Sequence, residues 1–130
     1  MTVAPIATLP DGRAVQRITL RSEAMTAQVL TLGGIVQDLR LDGVAYPLVL
    51  GNPDPAAYLG PSQYWGAIVG RFANRIGNGR FTLDGIDHQT DQNFLDRHLL
   101  HGGSDGLDRQ IWAIEDVAPD RVTLTVRLPD

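Results

Sequence analysis

Two segments of the chain combine residue types that bind polyhydroxylated ligands or move protons. In the first segment, Asn74 and Arg75 are adjacent, and Gly77 and Gly79 follow them at turn spacing. A planar amide beside a guanidinium with five N–H donors suits a ligand whose hydroxyls and ring oxygen are neutral acceptors. The spacing is equally typical of an arginine paired with a surface aspartate and an asparagine holding a left-handed turn. Both interpretations stay open on the residues alone.

The second segment places His101 directly before Gly102–Gly103. A loop histidine can donate, accept or transfer a proton near neutral pH. The two glycines lack side chains, which leaves space for a ligand to approach the backbone. The alternative is a histidine that only caps a turn. His98 and His88 are expected to be structural, His98 because its setting is apolar and His88 because it shares a strand face with Ile86.

Residues 102–106 also satisfy the G-x-S-x-G pattern of a serine nucleophile elbow. All three histidines lie upstream of it and no helical periodicity follows, so a serine hydrolase is disfavoured. A metal site on His98 and His101 would need one of the nearby aspartates and further ordered ligands that the sequence does not supply. The candidate aspartates are Asp96, Asp105 and Asp108.

An acidic stretch runs from Asp84 to Asp96 and includes Asp91 and Asn93. It lacks the glycine and the terminal glutamate of a calcium loop. The pattern therefore predicts a solvated surface with no metal.

Composition excludes several classes of function. The 130-residue chain has a net charge of −4, all eleven basic residues are arginine, and cysteine is absent. A mildly acidic chain lacks the basic footprint of a nucleic-acid binder, and without lysine there is no Schiff-base chemistry. Zero cysteines exclude disulfides and cysteine-ligated zinc.

No apolar run reaches the roughly 18 residues of a membrane span. The N-terminus lacks the basic region of a signal peptide and is interrupted by Pro5 and Pro10. We expect a cytoplasmic protein with no nucleic-acid or membrane partner.

The elements that must position these residues are strands. Residues 121–128 alternate strictly between apolar and polar side chains, which is typical of a half-buried antiparallel strand. The dipeptides Asp42-Gly43 and Asp84-Gly85 predict hairpins, and Asp54–Leu59 predicts about one helical turn with an N-cap and a following proline. Residues 1–130 show no linker or repeat. The prediction is a single all-β domain, an antiparallel β-sandwich of roughly eight to ten short strands. It ends in a turn at residues 128–130 whose second strand is missing.

Four motifs occur in a fixed order: V-G-R-F-A-N-R-I at 69–76, G-R-F-T-L-D-G at 79–85, L-H-G-G at 100–103 and G-L-D-R-Q-I-W at 106–112. In this order and spacing they resemble the aldose 1-epimerases (galactose mutarotases), and with the upstream strands the resemblance covers about residues 14 to 128. It implies the large antiparallel β-sandwich of that family, the galactose mutarotase-like supersandwich, incomplete in this chain. It also implies interconversion of the α and β anomers of an aldose such as galactose or glucose, without a cofactor or metal.

The resemblance assigns roles to three residues. Asn74 and Arg75 match the pair that hydrogen-bonds the sugar, and His101 matches the histidine that binds near the ring oxygen. The family's general-acid histidine, a substrate-binding aspartate and the general-base glutamate lie beyond the portion represented here. Neither Glu23 nor Glu115 stands in the base's motif.

Residues 1–130 are therefore expected to be the N-terminal part of one epimerase domain. This part would be a sugar-contacting half-site that is inactive alone, has no catalytic residue of its own, and exposes strands that a complementary C-terminal portion or a second copy would cover. A non-catalytic carbohydrate-binding module stays open as an alternative. So does an epimerase acting on sugar phosphates, for which Arg71, Arg80 and Arg97 are the basic candidates.

Overall fold

The computed structural model describes residues 1–129 of the chain. Regular structure in this range consists of ten strands and three short 3₁₀ helices. The strands are β1 Thr2–Thr8, β2 Ala14–Arg21, β3 Met25–Leu30, β4 Val36–Leu41, β5 Arg75–Ile76, β6 Arg80–Leu83, β7 Ile86–Gln89, β8 Leu99–Leu100, β9 Ala113–Ala118 and β10 Arg121–Thr125. The 3₁₀ helices are Pro55–Leu59, Gly77–Gly79 and Leu107–Arg109. The prediction of an all-β protein is confirmed.

The chain divides into two compact units. The first contains Met1–Ile68 and the segment from Asp108 onward, and the second contains Val69–Leu107. The three residues proposed from the sequence to bind a sugar, Asn74, Arg75 and His101, all lie in the second unit. The single-domain organisation stays a prediction, and Asp130, the last residue of the predicted terminal turn, lies outside the described residues.

The first unit is built on an antiparallel sheet with the strand order β1-β2-β3-β4. Its core lies against strands β2 and β3, where Val15 and Leu30 are fully buried, and Tyr58 closes it from the loop region. Each large apolar side chain removed from water contributes roughly 1.5–3 kcal/mol to folding. The remaining members of this core cluster are Leu9, Leu32 and Ile35.

Strands β9 and β10 form the alternating hairpin that the sequence predicts. Val122 and Leu124 are half-buried, while the intervening Arg121 and Thr123 are exposed. The paired register shifts by one residue between Thr123 and Leu124, a β-bulge that bends the strand. The strand ends at Thr125, three residues before the end of the alternating pattern.

The two Asp-Gly dipeptides behave differently. Asp84-Gly85 connects β6 to β7, with φ of 51° and 77° at the two residues, the geometry of a hairpin turn. Asp42-Gly43 also makes a turn, closed by the hydrogen bond from the Val44 N–H to the Leu41 carbonyl, but no strand follows it. The hairpin prediction is wrong there because Pro47 interrupts the segment and cannot donate to a ladder.

The helical turn predicted over Asp54–Leu59 is present as the 3₁₀ helix Pro55–Leu59. The Asp54 carboxylate caps it by accepting a hydrogen bond from the Ala56 N–H at 2.9 Å, and proline occupies the first helical position.

Candidate functional site

The pairing of β5 with β8 brings the two chemistry-bearing segments together. Arg75 lies opposite Leu100 in this short antiparallel ladder. In an antiparallel pair, the residue before one partner lies beside the residue after the other. Asn74 and His101, more than twenty-five positions apart in sequence, are therefore neighbours.

Two reciprocal hydrogen bonds join Asn74 to His101. The backbone N–H of His101 donates to the carbonyl of Asn74 at 2.9 Å, and the backbone N–H of Asn74 donates to the imidazole Nδ1 of His101 at 3.0 Å. An Nδ1 atom that accepts a hydrogen bond carries no proton, so the neutral ring holds its hydrogen on Nε2. The same contact fixes the orientation of the His101 ring.

The asparagine and the arginine are also coupled to each other. Asn74 has a left-handed backbone, with φ of 63°, as one interpretation of the sequence anticipated, and its Oδ1 accepts a hydrogen bond from Arg75 Nη1 at 2.9 Å. Within residues 1–129 Arg75 makes no ion pair with an aspartate, so the alternative of a surface salt bridge is wrong. The amide keeps its Nδ2 donors for a ligand, and the guanidinium keeps most of its five N–H groups.

Two residues that the sequence analysis did not assign to the site support it. The Arg75 guanidinium carbon lies 4.5 Å from the centre of the Phe94 ring, over its face. The side-chain amide of Asn93 makes two hydrogen bonds to the backbone of Leu100, donating to its carbonyl at 2.9 Å and accepting from its N–H at 2.7 Å. The sequence signal for Phe94 is weak: an aromatic residue that, with Leu95, interrupts a polar stretch.

The prediction of a purely solvated surface at residues 84–96 is wrong in part. Asn93 holds strand β8 through its amide, and the Asp91 carboxylate accepts a hydrogen bond from the Ser104 N–H at 2.7 Å. These polar side chains satisfy backbone groups of the neighbouring loop, a role that no local sequence pattern reveals because the partners are seven to thirteen residues away.

The two glycines after His101 do not leave space for a ligand. A Cβ on Gly102 would overlap the carbonyl oxygen of Gly70, and a Cβ on Gly103 would overlap the carboxylate of Asp91. Both glycines have positive φ, 91° and 94°. Glycine is required here because backbone and side chain of the same unit occupy the space, so the expectation of ligand access is wrong.

The structure gives no support to the two alternatives that the sequence disfavours, a serine hydrolase and a metal site on His98 and His101. The backbone N–H of Asn78 donates to Nδ1 of His98 at 3.0 Å, which gives this histidine a structural role. Ser104 is exposed and is followed by a three-residue 3₁₀ helix rather than by the helix of a nucleophile elbow. Among residues 1–129 there is no group of three histidine, aspartate or glutamate side chains placed to hold a metal ion.

The site is an open surface rather than a closed cavity. Asn74 and Arg75 are exposed, and His101 is half-buried. A cavity of about 220 Å³ is lined by residues of the first unit and by none of these three. Two of its lining residues are paired with each other, because Arg40 donates to the Asp38 carboxylate at 3.0 Å.

The sequence matches the family model described as aldose 1-epimerase over residues 16–130. The chain belongs to the aldose 1-epimerase family. It is 38% identical over 108 residues to a galactose mutarotase of Rattus norvegicus, which covers 80% of the chain and 31% of that protein. It is 35% identical over 109 residues to an aldose 1-epimerase of Escherichia coli, which covers 81% of the chain and 31% of that protein.

The fold of the family is likewise shared. A crystal structure of a galactose 1-epimerase from Lactobacillus acidophilus superposes with a TM-score of 0.82 at 28% identity, over 99% of this chain and 39% of that one. An aldose epimerase homologue from C. elegans superposes with a TM-score of 0.77 at 30% identity, over 87% of this chain and 36% of that one. The chain thus spans about a third of the length of the relatives it matches. Within residues 1–129, no helix is both long and apolar enough to cross a membrane.

Proposed function

We propose that this aldose 1-epimerase chain binds a hexose such as galactose or glucose through Asn74, Arg75 and His101, and that it contributes these contacts to interconversion of the α and β anomers. The observation that carries the proposal is the double hydrogen bond between Asn74 and His101. It holds an amide, a guanidinium and an imidazole in one place, although they come from two separate loops.

The three side chains supply donors, which is what a pyranose needs. The Asn74 amide and the Arg75 guanidinium can each donate to neighbouring sugar hydroxyls. His101, with its hydrogen on Nε2, can donate to the ring oxygen. Charge grows on oxygen as the ring opens, and donors held in place before the reaction stabilise that charge without reorganising.

None of the three can act as the general base. A guanidinium stays protonated and an amide is not basic, while Nδ1 of His101 is already engaged by the Asn74 N–H. Removal of the anomeric hydroxyl proton therefore falls to a group outside this trio. The family resemblance assigns that removal to a glutamate and protonation of the ring oxygen to a second histidine, and neither of these is among the residues that it matches here. The 130-residue chain is therefore proposed to bind sugar without catalysing the exchange.

Contacts of the basic residues favour a neutral sugar over a sugar phosphate. Nε of Arg97 donates to the Asn78 side chain at 2.8 Å, and the Arg80 guanidinium lies 3.7 Å from the Asp87 carboxylate. A phosphate would therefore have to share these two guanidinium groups with the partners that they already have.

The test has two parts. Titration of the ¹⁵N-labelled chain with galactose should shift the amide resonances of Asn74, Arg75 and His101, and the Arg75→Ala variant should need a higher galactose concentration to reach the same shifts. Anomer exchange, followed by NMR or polarimetry, should stay at the spontaneous rate with the isolated chain. Rapid exchange by the isolated chain, or sugar-induced shifts confined to other residues, would contradict these roles.

A chimaera distinguishes a chain that contributes to epimerase activity from a binding module without catalysis. In the chimaera, the part of this chain that aligns with the E. coli aldose 1-epimerase over 109 residues replaces the corresponding segment of that enzyme. We expect anomer exchange by the chimaera and its loss with Arg75→Ala. A folded chimaera that binds galactose but leaves exchange at the spontaneous rate would favour the binding module.

A further inference from the structure

The guanidinium of Arg75 sits on an aromatic platform. Its central carbon lies 4.5 Å from the Phe94 ring centre, within the range in which a cation over a ring face is attracted by the quadrupole. The Asn74 Oδ1 holds Nη1 from the side at 2.9 Å. The guanidinium is therefore held by two contacts, one with an aromatic ring and one with an amide oxygen.

This support matters because Arg75 is exposed. A free arginine side chain samples many rotamers, and ordering it on ligand binding costs conformational entropy. A guanidinium already held over a ring has lost most of that freedom before the ligand arrives, so binding loses less free energy to ordering.

Hydrogen bonds hold the loop that carries the Phe94 ring at both of its ends. Phe94 and His98 exchange two backbone hydrogen bonds, at 3.0 and 2.9 Å, across a tight turn. On one side Asn93 is fixed to the backbone of Leu100. On the other side His98 Nδ1 accepts from the Asn78 N–H. The ring is therefore part of a loop with fixed ends rather than a mobile flap.

The turn also carries backbone strain. Leu95 and Asp96 both have positive φ, 54° and 49°, a conformation that costs a leucine more than a glycine. Strained residues of this kind persist where the surrounding structure determines them, and they cluster at functional sites.

From these contacts we infer that Phe94 is a positioning residue for Arg75, orienting the guanidinium for the sugar in advance. This inference rests on the proposed function for its consequence in binding, but the orientation of Arg75 can be measured without a ligand. Phe94 contacts the Arg75 guanidinium, and we expect its effect on sugar affinity to pass through that arginine.

The first measurement is free of sugar. Protons above an aromatic ring face are shifted upfield, so the side-chain Hδ resonances of Arg75 should lie upfield of those of the other arginines. The shift should persist in Phe94→Tyr and vanish in Phe94→Leu, which keeps an apolar side chain but removes the ring. Arg75 resonances at the same position in the wild type and in Phe94→Leu would overturn the inference.

The second measurement is a double-mutant cycle on the galactose dissociation constant. Phe94→Leu should weaken binding about two- to five-fold, the range expected for an exposed cation–π pair, and Phe94→Tyr should restore it. In the Arg75→Ala background Phe94→Leu should have no further effect. An equal loss in both backgrounds would mean that Phe94 acts independently of Arg75, and the inference would be wrong.

Phe81→Leu is a matched control. Phe81 stacks on His88 with the ring centres 5.0 Å apart in the β6–β7 hairpin, so the variant removes an aromatic pair of the same unit that does not touch Arg75. It should leave galactose affinity unchanged. If the wild type binds no galactose, the proposed function fails, and the Arg75 resonances still decide whether Phe94 orients the guanidinium.

Discussion

Asn74 and His101 are joined by two hydrogen bonds. The backbone N–H of Asn74 donates to Nδ1 of the His101 ring, and the backbone N–H of His101 donates to the Asn74 carbonyl. The backbone of Asn74 thereby selects the tautomer of His101, and both residues are proposed to bind the sugar. The same hydrogen bond therefore fixes the position of the His101 ring and decides which of its nitrogens carries the hydrogen in the neutral form.

His101→Ala should affect both residues of this hydrogen-bonded pair, Asn74 as well as His101. In the neutral form of the imidazole, ¹⁵N spectra of the wild type should show the hydrogen of His101 on Nε2. In the variant the Asn74 N–H loses its acceptor, so its hydrogen exchange should accelerate, and galactose binding should weaken about five- to tenfold. His88→Ala is the control, because it should leave the Asn74 amide protected. An Nδ1–H tautomer in the wild type would contradict the assignment.

Arg75→Lys should not preserve binding. Lysine keeps the positive charge but not the planar fork that reaches both the Asn74 Oδ1 and a sugar hydroxyl. We expect galactose affinity to fall about fivefold or more, measured by NMR titration. Arg80→Lys is the matched variant, since the exposed Arg80–Asp87 pair needs only a point charge and contributes little. Equal affinities for Arg75→Lys and the wild type would show that charge alone matters.

Gly102→Ala should destabilise the second unit. The new Cβ would overlap the Gly70 carbonyl, and φ at this position is +91°. We expect a loss of at least about 2 kcal/mol in the free energy of unfolding, measured with urea. Gly77→Ala is the control because open space surrounds that position, and its effect should stay within about 0.5 kcal/mol. Similar stabilities for the two variants would contradict the close packing at Gly102.

Tyr58→Phe should destabilise the first unit at neutral pH. The buried Tyr58 hydroxyl accepts from the Asn52 N–H at 2.7 Å and donates to the Asn52 carbonyl at 3.2 Å. Removal of the hydroxyl leaves that N–H without its acceptor, at a cost of about 1–2 kcal/mol in the free energy of unfolding. Urea unfolding at pH 7 measures the difference, and a fully stable variant would mean that water replaces the hydroxyl.

The difference in stability between the wild type and Tyr58→Phe should also depend on pH. Burial raises the pKa of Tyr58 above its ordinary 10.0, partly opposed by the hydrogen bond from Asn52. The unfolded chain therefore releases this proton at lower pH than the folded chain, and the contribution of the neutral phenol is lost as pH rises from about 10 toward the folded pKa. The difference in the free energy of unfolding between the wild type and Tyr58→Phe should narrow as pH rises above about 10. A constant difference would show that folding leaves the pKa of Tyr58 unchanged.

Local patterns predicted a large part of the fold. The alternation of residues 121–128 identified β10, and the Asp84-Gly85 dipeptide identified the β6–β7 turn, because strand period and turn conformation depend on neighbouring residues alone. Asp42-Gly43 has the same local signal, but a hairpin also requires a second strand, and Pro47 prevents one.

The candidate site was only partly predictable. The chemistry of Asn74, Arg75 and His101 is evident from residue type, and the ordered motifs indicate the family. The supporting contacts were not predictable, because Asn93 and Phe94 act on residues seven to nineteen positions away.

The sequence by itself therefore determined the β architecture, the family and the three donor residues, because these follow from residue type and short spacing. Only the tertiary structure decided how the donors are held. It placed the Asn74 N–H on Nδ1 of His101 and the Phe94 ring under Arg75, and it filled the space beside Gly102 with a backbone carbonyl. These contacts depend on the register of β5 against β8, and register is set by long-range pairing rather than by any local run of residues.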